Sequence, residues 1–280
     1  MRENNILNRG LSFVLRKLNN FHYFIINKQK LLINRKSYIF LKKHNNKAKG
    51  DFSVMFNKRR VTFTSPFWFL HGLDEIFVDE VYKFNNESKT PNIIDCGANV
   101  GLSVMYFKMQ YPDARILAFE ADPIIHKQLV ENLSSYGSDI TLKNAAVWYE
   151  NTRLDFNSEG SVGGMVAQNN AENINFVNVE AIRLRDYLNK QVDFLKIDIE
   201  GAEYEVIKDC HDLLVNVRNL FIEYHDYEEE EQKLQEILTW VVDAGFKYYI
   251  KEAWENSKLP YTNRHKGKFL LQLNIFCFRI

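Results

Sequence analysis

Cysteine is scarce in this chain: Cys96, Cys210 and Cys277 are an odd number, widely spread, and form no CxxC pair. That excludes a disulfide-stapled scaffold and a structural zinc site, and it points to a reducing compartment. Long apolar runs are missing too. No stretch approaches the roughly eighteen apolar residues of a membrane span, so no transmembrane helix is expected. The start, Met-Arg-Glu-Asn-Asn, lacks the apolar run and small-residue cleavage site of a signal peptide. A cytoplasmic protein is the expectation. No internal repeat is visible. What remains is ordinary for a globular chain: 280 residues, 46% hydrophobic and 14% aromatic, which is ample material for a core and excludes collagen, coiled coil and wholesale disorder.

The net charge is zero, but the charges are segregated. Residues 1–60 hold 15 Lys+Arg against only Glu3 and Asp51, and residues 61–280 hold 21 Lys+Arg against 34 Asp+Glu. This describes a basic arm on an acidic globule. The arm interleaves Leu11, Phe13, Val14, Leu15, Leu18, Phe21, Phe24, Ile25 and Ile26 with its basic residues. Such a segment suits peripheral contact with an anionic membrane, at the inner face of a cell membrane, or packing on its own domain with the lysines solvated. Nucleic acid is not expected, because no binding motif accompanies the charge.

Three segments follow: an amphipathic extension (1–60), a lead-in of strands and helix capping the site (61–91), and a regular α/β domain (92–280). Ser53–Phe56 and Arg60–Thr64 read as short strands around Asn57-Lys58, and a helix is predicted near Asp74–Phe84. The polar stretch 85–91 is the clearest boundary. Beyond it, Ile93–Asp95, Arg115–Glu120, Ile140–Val147, Val192–Asp198 and Leu220–His225 read as strands. Helices lie between them at Leu102–Tyr111, Pro123–Tyr136 and Glu203–Val215, and Glu228–Ala244 follows the fifth strand. Residues 151–178, with Gly160, Gly163 and Gly164, look like a long polar excursion. Tyr248–Lys251 and Leu270–Ile280 are strand-like. Strands alternating with helices argue for a doubly wound sheet.

The sharpest feature is the loop Asp95-Cys96-Gly97-Ala98-Asn99-Val100-Gly101, directly after a strand and before a helix. Glycines there permit a tight turn and close approach to a ligand. The spacing is not GxGxxG, which argues against a dinucleotide pyrophosphate. A carboxylate at the strand tip suits a ligand amino group, and Glu120 at the tip of the next strand suits ribose hydroxyls. Together they describe a nucleoside carrying an amino acid, S-adenosylmethionine.

The run IIDCGANVGLSVMYFKMQYPDARILAFEADP resembles motifs I and II of class I methyltransferases. NAAV and VDFLKIDIEGAEYEVIK resemble the corresponding pieces of FkbM-type methyltransferases, and Glu75-Ile-Phe with Tyr82-Lys-Phe resembles that family's lead-in. The resemblance covers about residues 67–252. It implies a Rossmann-like sheet of seven strands with the last antiparallel, and methyl transfer to an oxygen, often a sugar or polyketide hydroxyl. It places Asp95, Cys96, Gly97, Ala98, Asn99 and Gly101 on the cofactor loop, with Tyr82 near it. Glu120 falls on the ribose acid, Ala121 stands where the family usually has proline, and Asn144 and Ala145 fall beside adenine. Asp198 and Glu200 fall beside the transferred methyl.

A sugar hydroxyl is a poor nucleophile and benefits from a general base with a pKa near the working pH. His225 meets that without tuning and ends the fifth strand, with Glu223 on the same side two residues earlier. A hydrogen-bonded strand-end histidine is the alternative for His225, and a structural cap for Asp198. Asp198, Glu200, Glu223 and His225 could also converge on a divalent cation, although no spacing demands one and no metal ligand is assigned. The reading is an S-adenosylmethionine-dependent O-methyltransferase acting on a sugar, glycan or lipid-linked sugar. Its rivals are a non-catalytic nucleotide-binding scaffold recruited to membranes and a nicotinamide-dependent oxidoreductase.

Overall fold

The structure is a computed structural model that describes residues 32–46, 50–158, 165–166, 176–228, 231–257, 261–262 and 268–279. The apolar residues of the basic arm, Leu11 to Ile26, lie outside the described residues, as do Gly160, Gly163 and Gly164. Among the described residues no helix is long and apolar enough to cross a membrane.

The lead-in begins with helix α1 (Arg35–His44), whose first turn is capped by the Asn34 side chain accepting from the Ser37 N–H at 2.8 Å. A hairpin follows, β1 (Phe52–Phe56) against β2 (Arg59–Phe63). Asn57 and Lys58 both take positive φ, 43° and 65°, as a two-residue hairpin turn of the right twist requires. The expected boundary at residue 60 therefore falls inside a hairpin. Residues from Ile33 onward share one core with the sheet, including Phe56, Phe63, Met105 and Leu129. Helix α2 (Pro66–Gly72) runs on as a π-helical turn, Leu73–Val78. The helix expected over Asp74–Phe84 thus starts earlier, because Ser65 caps it and Pro66 fits its first turn. It also ends earlier, before Glu80 at φ 51°.

The α/β domain runs β3 (Asn92–Cys96), α3 (Leu102–Gln110), β4 (Arg115–Phe119), α4 (Pro123–Leu133) and β5 (Ile140–Lys143). A second, four-stranded sheet then intervenes: β6 (Ala146–Trp148), β7 (Thr152–Asn157), β8 (Met165–Val166) and β9 (Phe176–Arg183), in the order β6-β9-β7-β8. Two expectations are corrected here. Ile140–Val147 is not one strand but two, broken at Asn144-Ala145, and the supposed excursion 151–178 contributes strands whose alternation the polar residues obscured. The chain returns through β10 (Val192–Ile197), α5 (Glu203–Cys210), β11 (Val217–Asp226), α6 (Leu234–Asp243), β12 (Lys247–Glu252) and β13 (Leu271–Phe278).

The main sheet has the order β12-β13-β11-β10-β3-β4-β5. Five central strands are parallel, and β13 runs antiparallel between β11 and β12. This is the class I methyltransferase sheet that the resemblance implies. Alternation along each strand divides the core: Phe194 and Phe221 join the lead-in, α3 and α4 on one face, while Leu195 and Leu220 join α5 and α6 on the other. Every residue of β10 is buried, as a central parallel strand requires. Connections leave β3 toward β4 and β5 on one side and return through β10 and β11 on the other. The crevice beyond the carboxyl ends of β3 and β10 is therefore the switch point, where such sheets bind ligands.

Candidate functional site

The loop after β3 turns through Gly97 (φ 88°), Asn99 (φ 49°) and Gly101 (φ 96°). What the two glycines approach most closely is the protein itself. A Cβ on Gly97 would lie 1.9 Å from the Asp198 carbonyl oxygen, and one on Gly101 2.9 Å from Leu129 Cδ1. The glycines thus let β3 meet β10 and α3 meet α4. Helix α3 then starts with no side-chain cap, and its first residues, Leu102 and Ser103, line open space. Asn132 of α4 ties this loop to the lead-in, with Nδ2 donating to the carbonyls of Val100 and Thr62, both at 2.9 Å.

Two cavities meet at the switch point and share Gly97, Asn99, Asp198 and Glu200. The smaller, about 90 Å³, is walled by Phe119, Ala145, Val147 and Phe156, with Glu120 and Ala121 beside them. Glu120 Oε2 accepts from the Asn99 N–H at 2.8 Å, and Oε1 from the Asp122 N–H at 2.9 Å. Burial pushes its carboxyl up to about 7 despite those two bonds. Each oxygen keeps acceptor capacity for one further donor. Asn144 does not face this pocket. Its Nδ2 donates to the carbonyls of Glu120 (2.9 Å) and Ala121 (3.1 Å) from an exposed position, so the expected contact falls to Ala145 alone.

Asp95 and Cys96 are fully buried and line neither cavity. Asp95 Oδ2 accepts from Ser103 Oγ at 2.5 Å, and Oδ1 lies 3.3 Å from Lys196 Nζ. The expected pairing of Asp95 with a ligand amino group is replaced by this internal pair. Lys196 Nζ is also 3.1 Å from Asp198 Oδ2 and donates to the Gly97 carbonyl at 2.8 Å. Burial alone would lower Lys196, and Asp198 and Asp95 more than reverse that, so it remains a cation tying β3 to β10. Burial pushes the Cys96 thiol well up and leaves it inert.

The larger cleft, about 460 Å³, lies over β3, β10 and β11. Its lining carries four carboxylates, Glu75, Asp198, Glu200 and Glu223, against two lysines, Lys196 and Lys268. Burial pushes Glu200 up to about 7 against the opposing pull of His225 and Lys268, and it pushes Glu223 up with help from Asp198. Glu75 accepts from Asn274 Nδ2 at 2.9 Å and is also raised, first by burial. Tyr82 lines the cleft with its ring edge-on to Phe221 at 4.9 Å. Burial, then Asp198, Glu75 and Glu223, hold its hydroxyl neutral. The mouth is aromatic: Trp68 and Trp254, each 37% exposed, have ring centroids 5.9 Å apart.

His225 does not fit the role of a general base. It is 4% exposed and lines neither cavity. Its Nδ1 lies 3.1 Å from Glu203 Oε1, and its Nε2 3.5 Å from Glu223 Oε1. Burial would lower its pKa, but Glu203 and the carboxylates of Glu223 and Glu200 carry it well above the ordinary value. A histidine that holds its proton at neutral pH cannot take another. Glu203, itself buried, accepts from the N–H groups of Ile199 and Gly201 at 3.1 Å and so braces the loop carrying Glu200, which sits at φ 57°.

Glu75, Lys196, Glu203, Lys268 and the two tryptophans were not assigned from sequence. Only Lys196 left a clear signal: a lysine in a buried, mostly apolar strand must be paired.

A family model described as the methyltransferase FkbM domain matches residues 95–248. Methyltransferase sdnD of Sordaria araneosa is 31% identical over 170 residues, covering 48% of this chain and 66% of that protein. 2-O-methyltransferase NoeI of Sinorhizobium fredii is 28% identical over 168 residues, covering 53% of this chain and 69% of that protein. The crystal structure of methyltransferase FkbM from Methylobacillus flagellatus superposes with a TM-score of 0.48 at 14% identity, covering 74% of this chain and 48% of that one. The chain thus spans somewhat under two thirds of sdnD and about half of the superposed structure.

Proposed function

The chain belongs to the FkbM methyltransferase family, and from that premise we propose that its joined cavities bind S-adenosylmethionine and serve methyl transfer to a hydroxyl of a sugar, glycan or glycolipid. The observation that carries this is the charge of the cleft, four carboxylates against two lysines, opening into a pocket where Glu120 stands beside apolar walls. Carboxylates raised by burial and mutual repulsion are relieved by a cationic ligand. Glu120, with acceptor capacity left on both oxygens, suits vicinal hydroxyls, and Ala145, Val147 and Phe156 suit a flat base. The uncapped first turn of α3 suits a ligand carboxylate.

When bound, S-adenosylmethionine supplies a methyl group on a cationic sulfur that leaves readily as a neutral thioether. The protein then has to position the acceptor and take its proton. Glu75 and Glu223 line the cleft, close enough to Asp198 for it to raise both, and replace His225 as proton acceptors. Lys196 holds Asp198 and the Gly97 carbonyl in fixed register beneath them. Trp68 and Trp254 offer flat, half-exposed faces to the C–H surface of a sugar ring. The O-methyl reading also draws on the name of NoeI, a 2-O-methyltransferase.

Titration calorimetry of the full chain with S-adenosylmethionine, S-adenosylhomocysteine and NAD tests the cofactor. The first two should bind and NAD should not; a chain that ignores S-adenosylmethionine overturns the reading. Labelled methyl transfer to a panel of free glycans, lipid-linked sugars and amines tests the acceptor, and label appearing on amines alone would sink the hydroxyl half.

A further inference from the structure

We propose that Asp198, Glu200 and His225 form a divalent-cation site on the floor of the cleft. Ligating atoms of these three residues lie within 4.8 Å of one another, the one such group of histidine, cysteine and acids among the described residues. Acids alone would not argue for an ion, since clustered carboxylates are common on surfaces. His225 does argue for one. Its side chain is buried, its Nδ1 is held by Glu203 Oε1 at 3.1 Å, and its Nε2 has no hydrogen-bond partner, with Glu223 Oε1 3.5 Å away. A ligating imidazole is built this way: one nitrogen donates to a carboxylate that sets tautomer and orientation, and the other, here facing Glu223, releases its proton to solvent as the metal binds.

The bracing continues outward. Glu203 accepts from the N–H groups of Ile199 and Gly201, so the residue that orients His225 also fixes the loop carrying Glu200. Ring and carboxylate are thereby held in one frame. Two carboxylates and an imidazole suit Mn²⁺ or Mg²⁺, with the imidazole favouring Mn²⁺. An octahedral ion with bonds of about 2.1 Å sets trans ligands about 4.2 Å apart and cis ligands about 3.0 Å apart, so side-chain rotation has to draw the three groups closer together on binding. Facing the cleft, the ion would hold an acceptor oxygen beside Glu223. That role rests on the methyl-transfer reading above, whereas the binding itself does not.

The test is a Mn²⁺ titration of the chelator-treated full chain, followed by the electron paramagnetic resonance signal of free Mn²⁺, with Mg²⁺ and Zn²⁺ as competitors. One Mn²⁺ should bind per chain, and Asp198→Asn and Glu200→Gln should each weaken it at least tenfold. Glu203→Gln should weaken it about 10–100-fold, as loss of a supporting carboxylate does. Glu131→Gln, an exposed acid of α4 that lines neither cavity, should leave the affinity unchanged. Circular dichroism keeps unfolded variants out of the comparison, and Glu200→Gln, at a loop position, is the variant least exposed to that problem. Absence of binding at about 1 mM Mn²⁺, the weak end for oxygen-ligand sites, would overturn the proposal, as would a stoichiometric site indifferent to Asp198 and Glu200. Binding of S-adenosylmethionine in excess chelator, measured on the same preparation, reports separately on the cofactor.

Discussion

Glu120 and Glu223 are both acids at the tips of parallel strands, and burial raises both, yet they are held in different ways. Glu120 is gripped by two backbone N–H groups, one from its own turn and one from the neighbouring loop. Glu223 has side chains around it instead: His225 at 3.5 Å, and Asp198, which repels it. The first arrangement survives most sequence changes nearby, because main-chain donors are always present. The second depends on several residues from different strands having the right charge at once. One half of the site is therefore robust and local, and the other is cooperative and exposed to single substitutions.

The strongest challenge to that contrast is Lys196→Met, because Lys196 touches both halves. It would leave Asp95 and Asp198 without their buried cation, and loss of one partner in such a group costs about 3–5 kcal/mol. Urea unfolding should show that loss, with Lys196→Arg losing less. A Met variant of near wild-type stability would mean the two halves are not tied through this residue.

Next in size are Glu75→Gln and Glu223→Gln, which should lower kcat about 100-fold or more, the range for loss of a general base. Affinity for S-adenosylmethionine should fall by less than tenfold, under about 1.4 kcal/mol, because each change removes only one of the four carboxylates facing its charge. If cofactor affinity falls as steeply as turnover, the division into halves is wrong.

Glu120→Gln should do the reverse, weakening cofactor binding by about tenfold, or 1.4 kcal/mol, while kcat at saturation holds. Wild-type affinity should also rise with pH through about 7, where the carboxyl ionises and becomes the better acceptor, and the Gln variant should be flat. Stability runs the other way. The folded-state pKa is raised from 4.5 to about 7, so the stabilising share of this carboxyl is complete below 4.5 and is lost as pH rises through 7. Glu120→Gln should therefore gain on wild type in urea unfolding between pH 5 and pH 8. A constant difference would place the titration elsewhere.

The smallest effect belongs to Asn144→Ala. Its two bonds to carbonyls are made at the surface, so stability should change by no more than about 0.5 kcal/mol. Cofactor affinity should not move; a clear loss would return Asn144 to the adenine side.

Much of the smaller pocket was legible from the chain alone because its determinants are local. Gly97, Asn99 and Gly101 set the backbone within seven residues, and Glu120 ends the next strand. The error at Asn144 was one of direction, since position in a chain does not say which way a side chain turns. Asp95 was misplaced for a similar reason: its partner, Lys196, is about a hundred residues away, and nothing near Asp95 announces it. Glu75 meets Asn274 across 199 residues and was assigned no part in the chemistry.

By itself, the sequence determined the alternation of strands and helices, the hairpin at Asn57-Lys58, the buried run of β10 and the loop at the switch point. Each of these follows from periodicity and backbone preference over a few consecutive residues. The tertiary structure alone decided which acids share the cleft, that His225 lies behind it with Glu203, and that β6 to β9 build a second sheet. Charge, burial and proton affinity are properties of neighbours in space, and here those neighbours come from the lead-in, from two central strands and from the last strand of the sheet.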